Sequence, residues 1–237
     1  MSDLQKLPQG EKREAECKAC ASVEAEARYA YSYDSNLYEI LQCLDCSHMF
    51  MYPVPLIELD SRTMDTLDDA ELFGSSIMRS LYEIGVINRE VGKVRRHLTQ
   101  ERPTLLDIGC GTGWNSSLWQ KKGFDVTGLE PSQTRREFGE KRYGLKMIDC
   151  HVEELHTLDN FDVVVMRHVL EHFAEPFSVL EKVYDLLNPG GLIVIALPNI
   201  NSIGRYVFKE DWEWVLPWHL NFFQSQVIAV YCEKGGV

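Results

Sequence analysis

The sequence has no apolar run long enough to cross a bilayer. Its best runs, Val163 to Met166 and Leu192 to Leu197, are strand-sized, against the roughly 20 residues a spanning helix needs. Its opening, MSDLQKLPQGEKREAEC, lacks the apolar stretch of a secretory signal, so a cytoplasmic protein without a membrane partner is expected. A positive surplus is also lacking: 24 Lys and Arg face 36 Asp and Glu, for a net charge of -12. That balance argues against nucleic acid as a partner, which wants a basic surface. There is no internal repeat and no low-complexity tract. With 45% hydrophobic and 25% charged residues, the 237-residue chain has globular composition. It can build one substantial core with a small appendage, or two small domains at most.

An even cysteine count is lacking as well. Seven cysteines stand at positions 17, 20, 43, 46, 110, 150 and 232, which with no export signal disfavours a disulfide framework. Four of them form two CxxC pairs, Cys17/Cys20 and Cys43/Cys46, with 22 residues between the pairs. Each pair offers two thiolates from one tight turn, and two such knuckles make a tetrahedral sulfur site suited to Zn2+. Four thiolates leave no open coordination position, so the metal would be structural, adding the stability a small module lacks. Redox cysteines and metal-free thiols are the alternatives. Leu41 before the second pair and Met49 and Phe50 after it fit the two strands of a ribbon, with His48 an unneeded fifth ligand.

The pattern divides the chain into a flexible N-terminus (1–16), a zinc-binding ribbon (17–55), a helical linker or lid (56–102) and a core (103–237). In the linker, Leu72, Phe73, Ile77, Leu81, Ile84 and Ile87, then Val91, Val94 and Leu98, recur at helical spacing. Gly85 and Gly92 are expected to separate two helices. The core alternates strands (Thr104 to Cys110, Phe124 to Glu130, Leu145 to Ile148, Phe161 to Met166, Leu192 to Leu197) with helices, and Asn188-Pro-Gly-Gly reads as a turn. Continuous apolar strands between helices predict an α/β fold, a doubly wound, mostly parallel sheet covered on both faces. Ligands of such sheets bind at the carboxyl ends of the strands.

The first strand ends in Asp107-Ile-Gly-Cys-Gly-Thr-Gly113. Its glycines permit a tight turn and close approach of a ligand, and the next helix offers its N-terminal amides. Dinucleotides, phosphates and other cofactors all fit such a turn, although the GK[ST] ending of a nucleotide-hydrolysing loop is absent.

LLDIGCGTG resembles the first motif of the class I S-adenosylmethionine-dependent methyltransferases, whose core is Rossmann-like. The likeness continues through Glu130 after the second strand, Asp149 after the third, Arg167-His168-Val-Leu-Glu-His172 after the fourth, and LLNPGGLIVIALPN. By this resemblance the turn of Gly109, Cys110, Gly111 and Gly113 would hold the methionine part of S-adenosyl-L-methionine, with the Cys110 thiol packing beneath it. Asp107 would organise the turn. Glu130 would accept from both ribose hydroxyls, Asp149 and the Cys150 amide would read the adenine edge, and Arg167 and His168 would border the methyl donor.

The cysteine ribbon resembles a subfamily in which a zinc-binding N-terminal segment precedes this core and which includes sugar C-methyltransferases. Trp218-His219-Leu-Asn-Phe-Phe223 resembles its segment after the fifth strand. The implied function is methyl transfer to a small-molecule acceptor, such as a nucleotide-linked sugar or another hydroxylated or carbonyl metabolite. His219 is the first candidate base and His172 the second, with Glu171 a loop-ordering residue. Tyr206, Phe208, Trp212, Trp214 and Trp218 would form an acceptor wall or a buried loop.

A full core of the class ends in a strand hairpin. Here Phe222 to Glu233 reads as a helix and no such hairpin follows, so the core is expected to be C-terminally incomplete. The fifth strand would be an exposed edge, for which a homodimer is one cover. A catalytically inactive, methyltransferase-like binding or assembly protein and a protein methyltransferase are the alternative functions.

Overall fold

The computed structural model describes residues 3–8, 11–55, 76–156, 159–208, 212 and 214–224. The chain divides into two compact units: one gathers residues up to 55, 168–181 and 197–224, the other 76–167 and 182–196.

The first unit is built on an antiparallel sheet of β1 (Asp3–Lys6), β2 (Lys12–Glu14), β3 (Glu24–Tyr33), β4 (Asn36–Cys43), β5 (Met49–Tyr52) and the short strand Asn221–Phe222. Asp34 and Ser35, both at positive φ (46° and 63°), close the β3–β4 hairpin in the two-residue turn that matches strand twist. The pairing shifts register between Ala27 and Tyr29. Because side chains alternate along a strand, that extra residue swaps the faces of odd-numbered positions. Ala25 and Ala27 therefore pack with Cys17, Leu41, Cys43 and Phe50. Tyr31, flanked by Tyr29 and Tyr33, joins a second cluster with Ile40, Met51, Ile200, Trp212 and Phe222.

Two expectations change in this unit. Residues 3–6 and 12–14, expected to fray, pair with β3. The cysteine-bearing hairpin, too small for a core of its own, shares one with residues from 200 to 222. Phe222 begins no helix but pairs with Met49. The rest of that expected helix, with Cys232, lies outside the described residues, as do positions 56–75 of the linker.

The second unit opens with α1 (Ser76–Tyr82), one π-type turn (Glu83–Ile87) and α2 (Asn88–Arg95). Tyr82 and Asn88 both keep helical φ (-64° and -62°), so the helix is not broken at Gly85 or Gly92 but widens for one turn. The sheet follows: β6 (Thr104–Ile108), α3 (Trp114–Lys121), β7 (Asp125–Leu129), α4 (Gln133–Tyr143), β8 (Lys146–Ile148), β9 (Phe161–Arg167), the last turn of α5 (Pro176–Asp185), whose residues up to 181 belong to the first unit, and β10 (Leu187–Ala196). All its pairings are parallel, in the order β10-β9-β6-β7-β8. This is the doubly wound, Rossmann-like arrangement, and β10 is its edge among the described residues. Val163, Val164 and Val165 are wholly buried, as strands covered on both faces must be. Ser132 caps α4 by accepting from the Arg135 amide, and Gly144 ends it at φ 66°. Asn188-Pro-Gly-Gly, expected as a turn, lies inside β10. There it absorbs a register jump from Leu187 opposite Phe161 to Leu192 opposite Val163. Among the described residues no helix is long and apolar enough to cross a membrane.

Asp162 braces the entry end of this sheet. Its buried carboxylate accepts from the Thr104 amide (2.8 Å) and hydroxyl (3.1 Å), from Gln100 Nε2 (3.1 Å) and from Asn188 Nδ2 (2.9 Å). Removing it strands four donors, so Asp162→Ala is expected to cost about 2–4 kcal/mol in chemical denaturation. Asp162→Asn, which keeps an acceptor oxygen, should cost clearly less. Equal losses would show that the carboxylate does not act as the brace.

Candidate functional site

The polar residues of the second unit collect at the carboxyl ends of its strands. Gly109, Gly111 and Gly113 all have positive φ (66°, 57° and 79°), a conformation L side chains rarely adopt. At Gly113 a Cβ would also lie 2.4 Å from Leu145 Cδ1. Gly113 is the residue just before α3, so the turn delivers the chain directly to that helix's free amides. Asp107 is buried beneath the turn, where it accepts from Ser116 Oγ at 2.6 Å. Burial pushes its pKa up to about 6 against the pull of Ser116 and Arg167.

Glu130, 4% exposed, closes the turn from the neighbouring strand end. One oxygen accepts from the Gly111 amide at 2.9 Å and the other from the Ser132 amide at 3.0 Å. A carboxylate offers about four lone-pair positions, so two remain for a ligand. The Cys110 thiol packs where a Cβ on Gly128 would lie 2.6 Å from its sulfur, and it sits 3.9 Å from Met147 Sδ. Burial pushes this thiol well above its usual pKa, which makes it packing and leaves its backbone to shape the turn.

Asp149 is exposed and pairs with Arg136 at 2.7 Å. Arg136 also donates to the carbonyls of Glu130 (2.8 Å) and Pro131 (2.6 Å), tying the two strand ends together. The Cys150 thiol donates to the His151 carbonyl at 3.0 Å. Arg167 is nearly buried, paired with Glu90 and donating to Tyr82 Oη at 3.3 Å. Its charge is thus spent on the widened helix. Glu90, Tyr82 and Arg136 carry no motif, and their distance in sequence hides these pairings. Nine of the expected cofactor residues lie in this unit: Asp107, Gly109, Cys110, Gly111, Gly113, Glu130, Asp149, Cys150 and Arg167.

His168 falls in the first unit with Glu171, His172 and His219. It adopts φ 52° and stacks on Trp214 with centroids 4.8 Å apart. The Leu220 amide donates to the Glu171 carbonyl at 2.8 Å, joining the 170–172 turn to the segment that bears His219. The rings of His172 and His219 then meet edge to face at 4.9 Å. His219 is 3% exposed, and its Nδ1–H donates to the Trp214 carbonyl at 2.8 Å, which leaves Nε2 as the lone pair. Burial, then His172, lowers its pKa to about 4, so the ring is neutral across the physiological range. Of the aromatic segment, Trp212 is core, while Tyr206 and Phe208 are exposed.

The two CxxC knuckles come together. The Sγ atoms of Cys17 and Cys46 are 3.6 Å apart, those of Cys20 and Cys43 are 3.5 Å apart, and all four lie within 4.8 Å of one another. A tetrahedron with metal–sulfur distances of about 2.3 Å has edges of about 3.8 Å, so the donor set fits one ion. The knuckles match in backbone too. The Ala21 amide returns to the Cys17 carbonyl (2.8 Å) and the Ser47 amide to that of Cys43 (3.1 Å), with Ala21 and Ser47 both left-handed. His48 stays apart. It is buried against Phe50, Phe177 and Phe223 and donates from Nε2 to Asn221 Oδ1 at 3.0 Å.

A family model described as a methyltransferase domain matches residues 85–236, more than half of the chain. A ubiquinone biosynthesis O-methyltransferase of Ruegeria pomeroyi is 29% identical over 162 residues, which cover 63% of this chain and 64% of that protein. The chain spans about half the length of other ubiquinone biosynthesis O-methyltransferases it resembles. Among solved structures, the plantazolicin methyltransferase BpumL in complex with SAH aligns with a TM-score of 0.53 and 18% identity, over 70% of this chain and 72% of that one. Magnesium protoporphyrin IX methyltransferase (ChlM) from Synechocystis PCC 6803 with bound SAH aligns with a TM-score of 0.53 and 14% identity, over 68% and 77%. These structural likenesses are likenesses of fold.

The buried Asp107 gives the turn a pH signature. Its folded pKa of about 6 exceeds the ordinary 3.8, so the folded state holds the proton more tightly than the unfolded one. Its penalty is full above pH 6 and shrinks as pH falls toward 4. Between pH 7 and pH 5 the wild type should therefore gain about 1–2 kcal/mol relative to Asp107→Asn. Denaturant titrations at both pH values check this, and parallel pH profiles would contradict it.

Proposed function

The chain belongs to the methyltransferase-domain family, and we propose on that premise that it transfers a methyl group from S-adenosylmethionine to a small-molecule acceptor. The observation that carries this reading is the buried Glu130 carboxylate clamped on a glycine turn, with two lone-pair positions left for hydroxyl donors. The bound cofactor supplies an electrophilic sulfonium methyl, and the transfer is an in-line displacement.

What remains for the chain is binding, alignment and proton handling. Gly109, Cys110, Gly111 and Gly113 present backbone to the methionine part, and Asp107 holds that backbone through Ser116. Glu130 takes the ribose hydroxyls, while Asp149 and the Cys150 amide take the adenine edge. Arg167 and His168 border the methyl donor. His219 and His172 are the groups that receive the acceptor's proton, and His219 is neutral and so able to accept one. The O-methyltransferase names of the relatives favour a hydroxylated acceptor, with nucleotide-linked sugars and carbonyl metabolites in the same class. Cys17, Cys20, Cys43 and Cys46 would hold a structural zinc ion, their four sulfurs lying within reach of one point.

Calorimetric titration of the chain with S-adenosylhomocysteine tests the cofactor reading without turnover. One saturable site is expected, and Glu130→Ala should weaken it by about tenfold or more, since it removes charge-assisted acceptors. A folded chain that binds nothing overturns the reading. Elemental analysis should find one tightly held zinc per chain, lost with unfolding of the ribbon in Cys43→Ser. A zinc-free chain with the same melting temperature contradicts the structural role.

A further inference from the structure

Positive charge is in the minority along this chain, but one cleft of the first unit gathers it. The cleft encloses about 210 Å3, and no carboxylate lines it. Strand register builds its wall. Lys6 of β1 stands opposite Tyr29 of β3, Tyr29 opposite Ile40 of β4, and Gln42, two residues on, opposite Met49 of β5. Directly opposed residues share a face, so Lys6, Tyr29, Gln42 and Met49 all stand on one side of the sheet. Arg28 is the extra residue of the register shift between Ala27 and Tyr29, and such a bulge re-aims a side chain. Here it brings the guanidinium to Gln42, whose Oε1 accepts from Arg28 Nε at 2.8 Å. Asn201 and Gln224 line the same cleft.

The cleft holds donors in excess. Gln42 and Glu26, the latter 3.1 Å from Nη2, fix the Arg28 fork, while Nη1 has no partner among the described residues. Lys6 makes no hydrogen bond or ion pair among the described residues. The Oε1 atoms of both glutamines are already taken by protein donors, that of Gln42 by Arg28 and that of Gln224 by Asn201 Nδ2 at 3.0 Å. Both glutamine Nε2 groups donate to the Ser47 carbonyl, at 3.4 Å and 3.2 Å, which holds the two amides in place. A third cation, Arg205, stands 5.0 Å over the Tyr29 ring. Glu26 offsets one of these three charges, and the surplus draws an anion.

We propose that this cleft binds a phosphate group, free or carried by a small molecule. A fixed guanidinium fork beside a mobile ammonium supplies a directed donor and a point charge, the two means by which proteins hold phosphate oxygens. Its 210 Å3 falls below the roughly 300–1,000 Å3 of pockets that enclose a whole drug-sized ligand. It therefore takes the charged end of a metabolite and leaves the remainder outside. The site uses neither the glycine turn, the histidines nor the cysteines, so it stands independently of the methyl-transfer reading.

The test is calorimetric titration of the full chain with inorganic phosphate, uridine diphosphate and uridine. One site is expected for the phosphate compounds, weakening as salt is raised, and none for uridine. Lys6 is exposed, so Lys6→Gln should weaken binding about tenfold or more at an unchanged melting temperature. Arg28→Gln should weaken it further, and if that variant does not fold, Lys6→Gln alone decides. Phosphate bound as tightly as the diphosphate assigns the cleft to the bare anion, and a tighter diphosphate assigns it to a phosphorylated metabolite. No binding of either, uridine bound as well as its diphosphate, or an affinity that the substitutions leave unchanged overturns the proposal. S-adenosylhomocysteine should bind Lys6→Gln as it binds the wild type, which separates failure here from failure of the methyl-donor reading.

Discussion

The grip of the Glu130 carboxylate on the Gly111 and Ser132 amides is the contact on which the rest of the second unit's site depends. Three successive odd-numbered glycines at positive φ have no conformational preference strong enough to hold one turn shape unaided. A buried anion aimed at a backbone amide supplies that preference, and it does so with a group that keeps acceptor capacity for a ligand. Asp107 performs the same service from below, linking β6 to the first turn of α3 through Ser116. Two buried carboxylates beside each other are electrostatically uncomfortable. The strain appears as the raised pKa of Asp107, to which Glu130 contributes after burial itself. Preorganisation of a cofactor turn is thus set against stability, as expected where a site takes priority over the fold.

The first unit solves a different problem, the scarcity of core in a short β-structure. The register shift between Ala27 and Tyr29 lets one strand serve two cores, the small alanines beside the cysteines and the tyrosines against residues from the far end of the chain. Asn221 anchors that far end. It accepts from His48 and donates to the Phe173 carbonyl at 2.7 Å, so one side chain ties the hairpin, the 170–172 turn and the segment with His219 together. The same tie assembles the Glu171, His172 and His219 cluster, whose members are separated by nearly fifty residues.

The parallel sheet was legible because its strands are buried on both faces and therefore read as unbroken apolar runs, Val163 to Val165 most plainly. The glycine turn and the cysteine pairs were legible because their backbone and ligand chemistry demands fixed residue types at fixed spacing. Polar edge strands such as Asp3–Lys6 and Lys12–Glu14 carry no such pattern, since their side chains alternate with little to bury. Asn188-Pro-Gly-Gly has the composition of a turn, and only pairing with β9 turns it into a bulge. The widened turn at Glu83–Ile87 and the pairing of Arg167 with Glu90 are tertiary choices with no local signature. His219 and Glu171 could each be singled out from their own segments, but their separation in sequence hides that they meet.

Hydrogen–deuterium exchange of the full chain with and without S-adenosylhomocysteine tests the central claim most directly, because it reports where the compound is held. Slowed exchange is expected at the amides of 109–113 and at those of Glu130 and Ser132, the two stretches that Glu130 joins. Binding with no change in exchange at either stretch would contradict it, whatever the affinity.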